Sequence, residues 1–422
     1  MRADVVVVGA GPAGAATAIL LAEQGLSVVL LDRARFPRDK ICGEYLSPEG
    51  SRVLDRLGVL STVEARGARP LRGMRILAPD GTLLVGDYPA DGPWRGYRPH
   101  ALAVRRRGLD LALVERAREA GVLVREGIRV VDLLREGKRV TGVVAESVGP
   151  AARAAAAERL PARLVVAADG RASVIVERLG LRRRHRWLRR LALLADVEGA
   201  CGDPERGEIV LAPPTYSILN PVAAGVANLS LVIPVEEGRR RKADLAGYFD
   251  SVTRTLPGLR ERLRDARRVG PVRALGPLAY RVAPPREEGV VLVGDAAGFL
   301  DPFTGEGIYA ALRSAEIAAE VGTRAVKTGD VSAAALRPAH VRRAVEFAAK
   351  TWVTLILQRV IARRALLVAA ARLLAARPAH LARLMGVFGD FVPPSALVQP
   401  SFLAGLLPHP RSRRLVRSPE IR

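Results

Sequence analysis

Residues 5–14 read Val-Val-Val-Val-Gly-Ala-Gly-Pro-Ala-Gly, and Asp32 follows eighteen positions after the last of these glycines. Few chain geometries suit this spacing. An apolar run that stops at a glycine predicts a buried parallel strand. Gly9 allows a tight turn, Gly11 lets the backbone approach a pyrophosphate, and Gly14 lets helix and strand pack closely. Pro12 and Ala13 open a helix expected over 13–22, whose N-terminal N–H groups and dipole face the phosphates. A second strand is expected over 26–31, and Asp32 ends it, where a carboxylate can accept both ribose hydroxyls of an adenosine. A glycine-rich turn that binds nothing is the bland alternative, and both context and acid argue against it. A secretory leader is a second alternative for the apolar stretch. Arg2 is the only basic residue ahead of it, so strand, turn and helix explain it better.

Two further segments fit the same site. Residues 164–170 read Leu-Val-Val-Ala-Ala-Asp-Gly, with Asp169 and Gly170 at the end. Residues 289–307 carry a second all-apolar strand, expected over 290–293, that ends at Gly294 and Asp295. A carboxylate at that strand end can hydrogen-bond a polyol such as the ribitol of FAD. The loop through Asp301, Pro302, Thr304, Gly305, Glu306 and Gly307 then enters a helix expected over 308–321. Glycines there let backbone N–H groups face the pyrimidine edge of an isoalloxazine. A helix N-terminus at that edge stabilises the negative charge of a reduced flavin. Any one segment alone admits an ordinary turn; in this order the three point to FAD as the cofactor.

The segments resemble the p-hydroxybenzoate hydroxylase superfamily of flavoproteins, and more closely its geranylgeranyl reductase branch. Residues 35–48, Arg-Phe-Pro-Arg-Asp-Lys-Ile-Cys-Gly-Glu-Tyr-Leu-Ser-Pro, are similar to that branch's Lys-x-Cys-Gly segment, and residues 296–299 and 302–308 resemble it too. The aromatic hydroxylases usually have a histidine where Gly298 stands, and Gly-Gln-Gly in place of Gly305-Glu306-Gly307. The resemblance covers about residues 1–330. It implies an α/β fold: a Rossmann-like FAD-binding domain, an antiparallel β-sheet substrate domain and a C-terminal helical region.

It also completes the candidate cofactor set, adding Arg33, Lys40, Cys42, Gly43, Arg106, Val130 and Ile308 to the turn and loop residues already named. Arg106 resembles the family's cofactor-contacting arginine; its alternative is a solvated side chain in the run 105–107. Asp169 and Gly170 resemble an internal Asp-Gly motif implicated in cofactor and nicotinamide contact. Lys40 is either an FAD contact or a surface lysine. The catalytic candidates are Cys42, Glu306 and Tyr216. One departure stands out. The reductases typically carry Tyr-x-Trp-x-Phe-Pro, whereas residues 216–221 read Tyr-Ser-Ile-Leu-Asn-Pro, and the lost aromatics weigh against a polyprenyl substrate.

At 422 residues the chain can bury a large core and hold two or more domains. Its net charge is +23, carried almost wholly by arginine. That excess is either coding bias or the mark of an anionic partner. An aromatic content of 4% and the lack of a recognition motif argue against nucleic-acid readout. Two cysteines, Cys42 and Cys201, and no leader suggest the cytoplasm. One nucleotide fingerprint without a Cys-x₄-Cys pair disfavours a two-nucleotide disulfide reductase. No metal site is expected.

The FAD domain is expected at 1–72, 98–178 and 270–330, with 149–157 as a hairpin tip or insertion. The substrate domain is expected at 73–97 and 179–269, with strands at 209–211, 216–219 and 227–233. Residues 331–422 form a helical cap and a basic tail. Arg359, Arg363, Arg364 and Arg372 break every apolar run there, so no membrane span is implied. This region is either a cap packed on the FAD domain or a basic amphipathic face on anionic lipid, peripheral on the inner face of the membrane.

The favoured activity is reduction of carbon–carbon double bonds in a hydrophobic, polyprenyl or quinone-like small molecule, with NAD(P)H or another reductant as electron donor. A monooxygenase acting on an aromatic or polyketide-like ring is the rival. A carrier that keeps the fold without flavin is the non-catalytic alternative.

Overall fold

The computed structural model describes residues 3–149 and 156–406. Most of the expected hairpin tip and the basic tail from 407 onward lie outside the described residues. The first strand, Ala3–Val8, sits at the centre of a sheet. It pairs in parallel with Val28–Asp32 on one edge and with Glu158–Ala167 on the other. The strand Val290–Leu292 continues the parallel order beside Glu158–Ala167. All three expected motif segments therefore end at the same edge of one sheet, which is why residues so far apart in sequence meet. Leu123–Glu126 flanks one side, and the antiparallel strands Ile128–Glu136 and Arg139–Ser147 the other.

The helix Pro12–Ala22 is buried along nearly its whole length. It packs against the long helix Gly307–Thr328 in one apolar cluster. That second helix runs past the expected stop. Gly322 sits where a Cβ would come 3.1 Å from Leu164, so it is a packing residue. The helix ends at Gly329, whose φ of +79° is the left-handed cap that glycine favours.

The second sheet has the strand order Arg267–Leu275, Arg190–Glu198, Val226–Pro234, Thr215–Ala223, Arg206–Ala212, Gly73–Leu77 and Leu83–Asp87. Its pairings are antiparallel except between Gly73–Leu77 and Arg206–Ala212. Its edge strand runs on to Leu275, beyond the expected boundary at 269, because that strand pairs with Arg190–Glu198. The inner strands Arg190–Glu198, Arg206–Ala212, Thr215–Ala223 and Val226–Pro234 are buried along most of their length because both faces are covered. Leu193, Leu229 and Leu231 pack with Phe249 of the helix Leu245–Thr255. Ala192, Leu194, Ile209, Ile218 and Val232 face the other way, toward the C-terminal helices.

Those helices are Ala333–Ile361, Arg364–Ala375 and Pro378–Phe388. They span both domains. Leu336 and Ala339 join the core beside the first sheet, while Ile361, Leu367, Met385 and Phe388 join the cluster on the second sheet. No single helix among the described residues is long and apolar enough to cross a membrane.

Candidate functional site

A cavity of about 1080 Å³ runs from the Gly9 turn to the inner face of the second sheet. At its first end the backbone is shaped by close packing. Gly9 has φ +100°, and a Cβ there would lie 2.5 Å from the Ala168 carbonyl oxygen. A Cβ on Gly14 would lie 1.8 Å from the Gly9 carbonyl. At Gly11 the nearest atoms are the Arg38 and Arg106 guanidiniums, 3.7 and 3.8 Å from a Cβ position. Gly11 thus opens onto space, with two cations across it. The helix that follows has no side-chain cap, so its first N–H groups remain free for an anion.

Asp32 closes this end as the sequence predicts. Its Oδ2 accepts the Ala10 N–H at 2.8 Å and its Oδ1 accepts the Ala34 N–H at 2.8 Å. Each oxygen keeps a lone pair for a ribose hydroxyl. Arg106 is buried in the first turn of the helix Arg106–Glu119, and two hydrogen bonds of 2.9 and 2.8 Å hold it to Asp110. Arg38 reaches the same carboxylate at 3.0 Å. Burial and the neighbouring Arg106 and Arg38 push the Lys40 ammonium below its ordinary value. Cations crowded this closely beside a free helix N-terminus have the charge and donors to hold a diphosphate.

The middle of the cavity is lined by Cys42, Gly43, Asp169, Gly170 and Asp295. Burial raises the Asp295 carboxyl, against the pull of Arg171, Arg106 and Lys40. Burial raises Asp169 as well; its Oδ2 accepts the Val174 N–H at 2.8 Å, while its buried Oδ1 has no partner. Burial also pushes the Cys42 thiol up, with Arg106 opposing, so it stays neutral near pH 7. The helix Gly307–Thr328 presents a second uncapped N-terminus here, through Gly307 and Ile308. Gly305, with φ +69°, lies flat on Tyr45: a Cβ would come 2.5 Å from the ring.

Of the expected cofactor residues, Gly14 and Gly294 stand behind the wall and the others line it. Gly294, with φ +56°, has room for a Cβ only 2.8 Å from that of Ala13, so it locks the loop onto the first helix. Two of the three catalytic candidates also stand behind the wall. Tyr216 is fully buried, and its hydroxyl donates to Asp301 Oδ1 at 2.7 Å. Glu306 precedes the helix and faces Lys350 at 3.6 Å; Lys350 also pairs with Asp390. Asp301 Oδ1 further accepts from Gln358 Nε2 at 2.8 Å and the Phe303 N–H at 3.0 Å, and burial pushes this carboxyl up to about 6.

The far end is an apolar chamber walled by Met74, Leu194, Ile209, Ile218, Val232, Phe303 and Phe388. Several polar wall residues were missed by the sequence reading. Tyr45 and Tyr88 share a 2.5 Å hydrogen bond between their hydroxyls, and burial raises both phenols. Glu44 takes φ +57° and accepts from the Arg106 N–H at 3.1 Å and from Arg105 at 3.2 Å. Asn220 donates to the Gly43 carbonyl at 2.7 Å and leaves its Oδ1 buried without a partner. Tyr45 and Glu44 carried a signal as neighbours of Cys42 in the 35–48 segment, and Asn220 as part of the 216–221 stretch; Tyr88 carried none.

A family model described as an FAD binding domain matches residues 2–345. The chain belongs to this FAD-binding family. The cofactor is FAD, and the turn, the cation cluster and the two helix N-termini of this flavoprotein fit it. The flavoprotein is 30% identical over 344 residues to a menaquinone reductase of Mycolicibacterium smegmatis, covering 76% of each chain. It is 33% identical over 350 residues to a digeranylgeranylglycerophospholipid reductase of Methanothrix thermoacetophila, covering 78% of this chain and 80% of that one. The resemblance to the geranylgeranyl reductase branch holds. Among solved structures, a triple mutant of a flavin-dependent brominase superposes with a TM-score of 0.78 at 21% identity, over 91% of this chain and 94% of that one. At that identity the likeness concerns the fold.

Proposed function

We propose that the chain is an FAD-dependent reductase that saturates a carbon–carbon double bond in a hydrophobic, polyprenyl or quinone-like molecule. The apolar chamber continuous with the FAD cleft carries this reading, because a long hydrocarbon needs a dry, extended wall. The two reductase relatives support it. When bound, FAD supplies a two-electron hydride equivalent, with NAD(P)H or another reductant restoring it.

The chain's own residues do the rest. Gly11, Arg38, Lys40 and Arg106 hold the diphosphate, Asp32 the adenosine ribose, and Asp295 the ribitol. Met74, Leu194, Ile218 and Phe388 exclude water and align the substrate. The side chains that hold a proton at the wall are the neutral thiol of Cys42 and the paired phenols of Tyr45 and Tyr88. A proton from one of them completes addition across the double bond.

The test is anaerobic. The reduced holoenzyme is mixed with menaquinone or a geranylgeranyl lipid, and flavin reoxidation and product mass are followed. Reoxidation with a gain of two hydrogens supports the reading. A flavin that turns over only with oxygen, through an oxygen adduct and a hydroxylated product, would favour the monooxygenase, a reading that the missing aromatics between Tyr216 and Pro221 also support.

A further inference from the structure

The helix Ala333–Ile361 has its polarity reversed between Lys350 and Gln358. On its inner side Lys350, Thr354 and Gln358 are buried. They are engaged there: Lys350 with Asp390, Thr354 with the Lys350 carbonyl, Gln358 with Asp301. On its outer side Val341, Val345, Trp352 and Ile356 are 46%, 71%, 66% and 51% exposed. Their spacing of four, seven and four residues makes one continuous stripe. A helix that turns polar groups inward and a tryptophan outward presents its apolar face to something other than its own core.

Beside the C-terminal half of the stripe, basic side chains outnumber acidic ones. The helix runs toward Trp187, whose ring lies 4.6 Å from the Arg359 guanidinium. No Asp or Glu occurs between Glu346 and Asp390, an interval with six Arg besides the buried Lys350. None occurs between Glu177 and Asp196, which holds six more Arg besides the buried Arg190. Some of these are engaged at home: Arg189 pairs with Glu236 and Arg372 with Asp80. Arg184, Arg186, Arg359 and Arg363 make no ion pair among the described residues.

We infer that this face docks on an anionic lipid surface. Such a surface offers phosphate charge to the arginines and an apolar layer to Trp352 and Ile356, which no aqueous anion does. A second copy of the chain would press arginines against arginines, and like charges across an interface are repelled. The placement suits a lipid-derived substrate, although the docking does not rest on the reaction proposed for the cavity. Ile361 and Leu367, on the inner side of the same helical layer, are buried with Tyr45, Tyr88 and Ile209 of the chamber wall. One helix thickness, about 10 Å, separates the docking face from the chamber.

The test uses the full-length holoenzyme and co-sedimentation with vesicles of phosphatidylcholine alone or mixed with phosphatidylglycerol. The expected result is pelleting with the mixed vesicles at low salt, falling about tenfold or more at high salt or without phosphatidylglycerol. Trp352→Glu with Ile356→Glu, and separately Arg359→Glu with Arg363→Glu, should each weaken binding about tenfold or more while FAD content and melting temperature hold. If a glutamate variant does not fold, Trp352→Gln with Ile356→Gln replaces it. Failure of the wild type to bind the mixed vesicles overturns the proposal, as does equal binding to neutral vesicles. Loss of binding in the arginine variant alone overturns it too, and so does a dimer in sedimentation velocity that Trp352→Glu splits.

Discussion

Arg106 and Asp110 lie one helical turn apart and are joined by two hydrogen bonds, of 2.9 and 2.8 Å, across the cavity from Gly11. Burial opposes the Arg106 charge, and the carboxylate outweighs it, so the guanidinium stays protonated. Its orientation depends on the planar fork, which lysine lacks. Arg106→Lys should keep the fold and weaken FAD binding about tenfold or more, corresponding to about 1.4 kcal/mol. Fluorescence titration of the apoprotein measures this, and an unchanged affinity would remove Arg106 from the site.

Gly11 and Gly14 should fail in different ways. At Gly11 the protein itself leaves 3.7 Å around a Cβ, so Gly11→Val should fold and purify without colour. At Gly14 a Cβ meets backbone at 1.8 Å, so Gly14→Ala should lose the folded state. Circular dichroism with the flavin absorbance separates the two, and a fully yellow Gly11→Val would refute the placement of the turn.

Cys42 and Glu306 divide the wall from what stands behind it. Cys42→Ala should alter turnover or product pattern at normal FAD content, because its sulfur lines the cavity. If sulfur is only packing there, a stability loss of about 1 kcal/mol with unchanged activity per flavin is what remains. Glu306→Gln removes a charge facing Lys350 at 3.6 Å. It should shift the reduction potential without abolishing turnover, and a dead enzyme would make Glu306 the proton donor instead.

His340 gives the pH dependence a sign. Burial, with Arg343 beside it, pushes the imidazole down to about 4. The unfolded chain then binds the proton more readily than the folded one. The neutral side chain's contribution is fully present above the unfolded value near 6.5. It is lost as pH falls through about 4. His340→Phe should reduce the loss of unfolding free energy between pH 7 and pH 4 by on the order of 1–3 kcal/mol, read as a smaller drop in melting temperature. Parallel acid curves for the two proteins would contradict this.

What the chain discloses before folding divides along physical lines. The turn at Gly9–Gly14, Asp32 and the Asp295 strand end were legible because close backbone approach tolerates only glycine, and strand ends carry their acids in fixed order. Arg106 was legible only through resemblance, since nothing local separates it from Arg105 and Arg107. Tyr216 and Glu306 were sited by motif and lie behind the wall for reasons distant in sequence: Phe303 packs edge-on against the Tyr216 ring, and Lys350 faces Glu306. Tyr88 left no signal: its contact with Tyr45 spans 43 residues. The reversed polarity of the helix Ala333–Ile361 was equally hidden, because an apolar stripe reads the same whichever way it points.

Asp301 carries a consequence of another kind. Its Oδ1 joins the loop that lines the cavity at residues 302–305 to Tyr216 of the second sheet and Gln358 of the C-terminal helix. One oxygen atom is therefore common to three structural layers. None of them can open alone without stranding the partners of the other two. In native-state hydrogen exchange these layers should behave as one foldon, with the loop protected as strongly as the strand and helix that grip it.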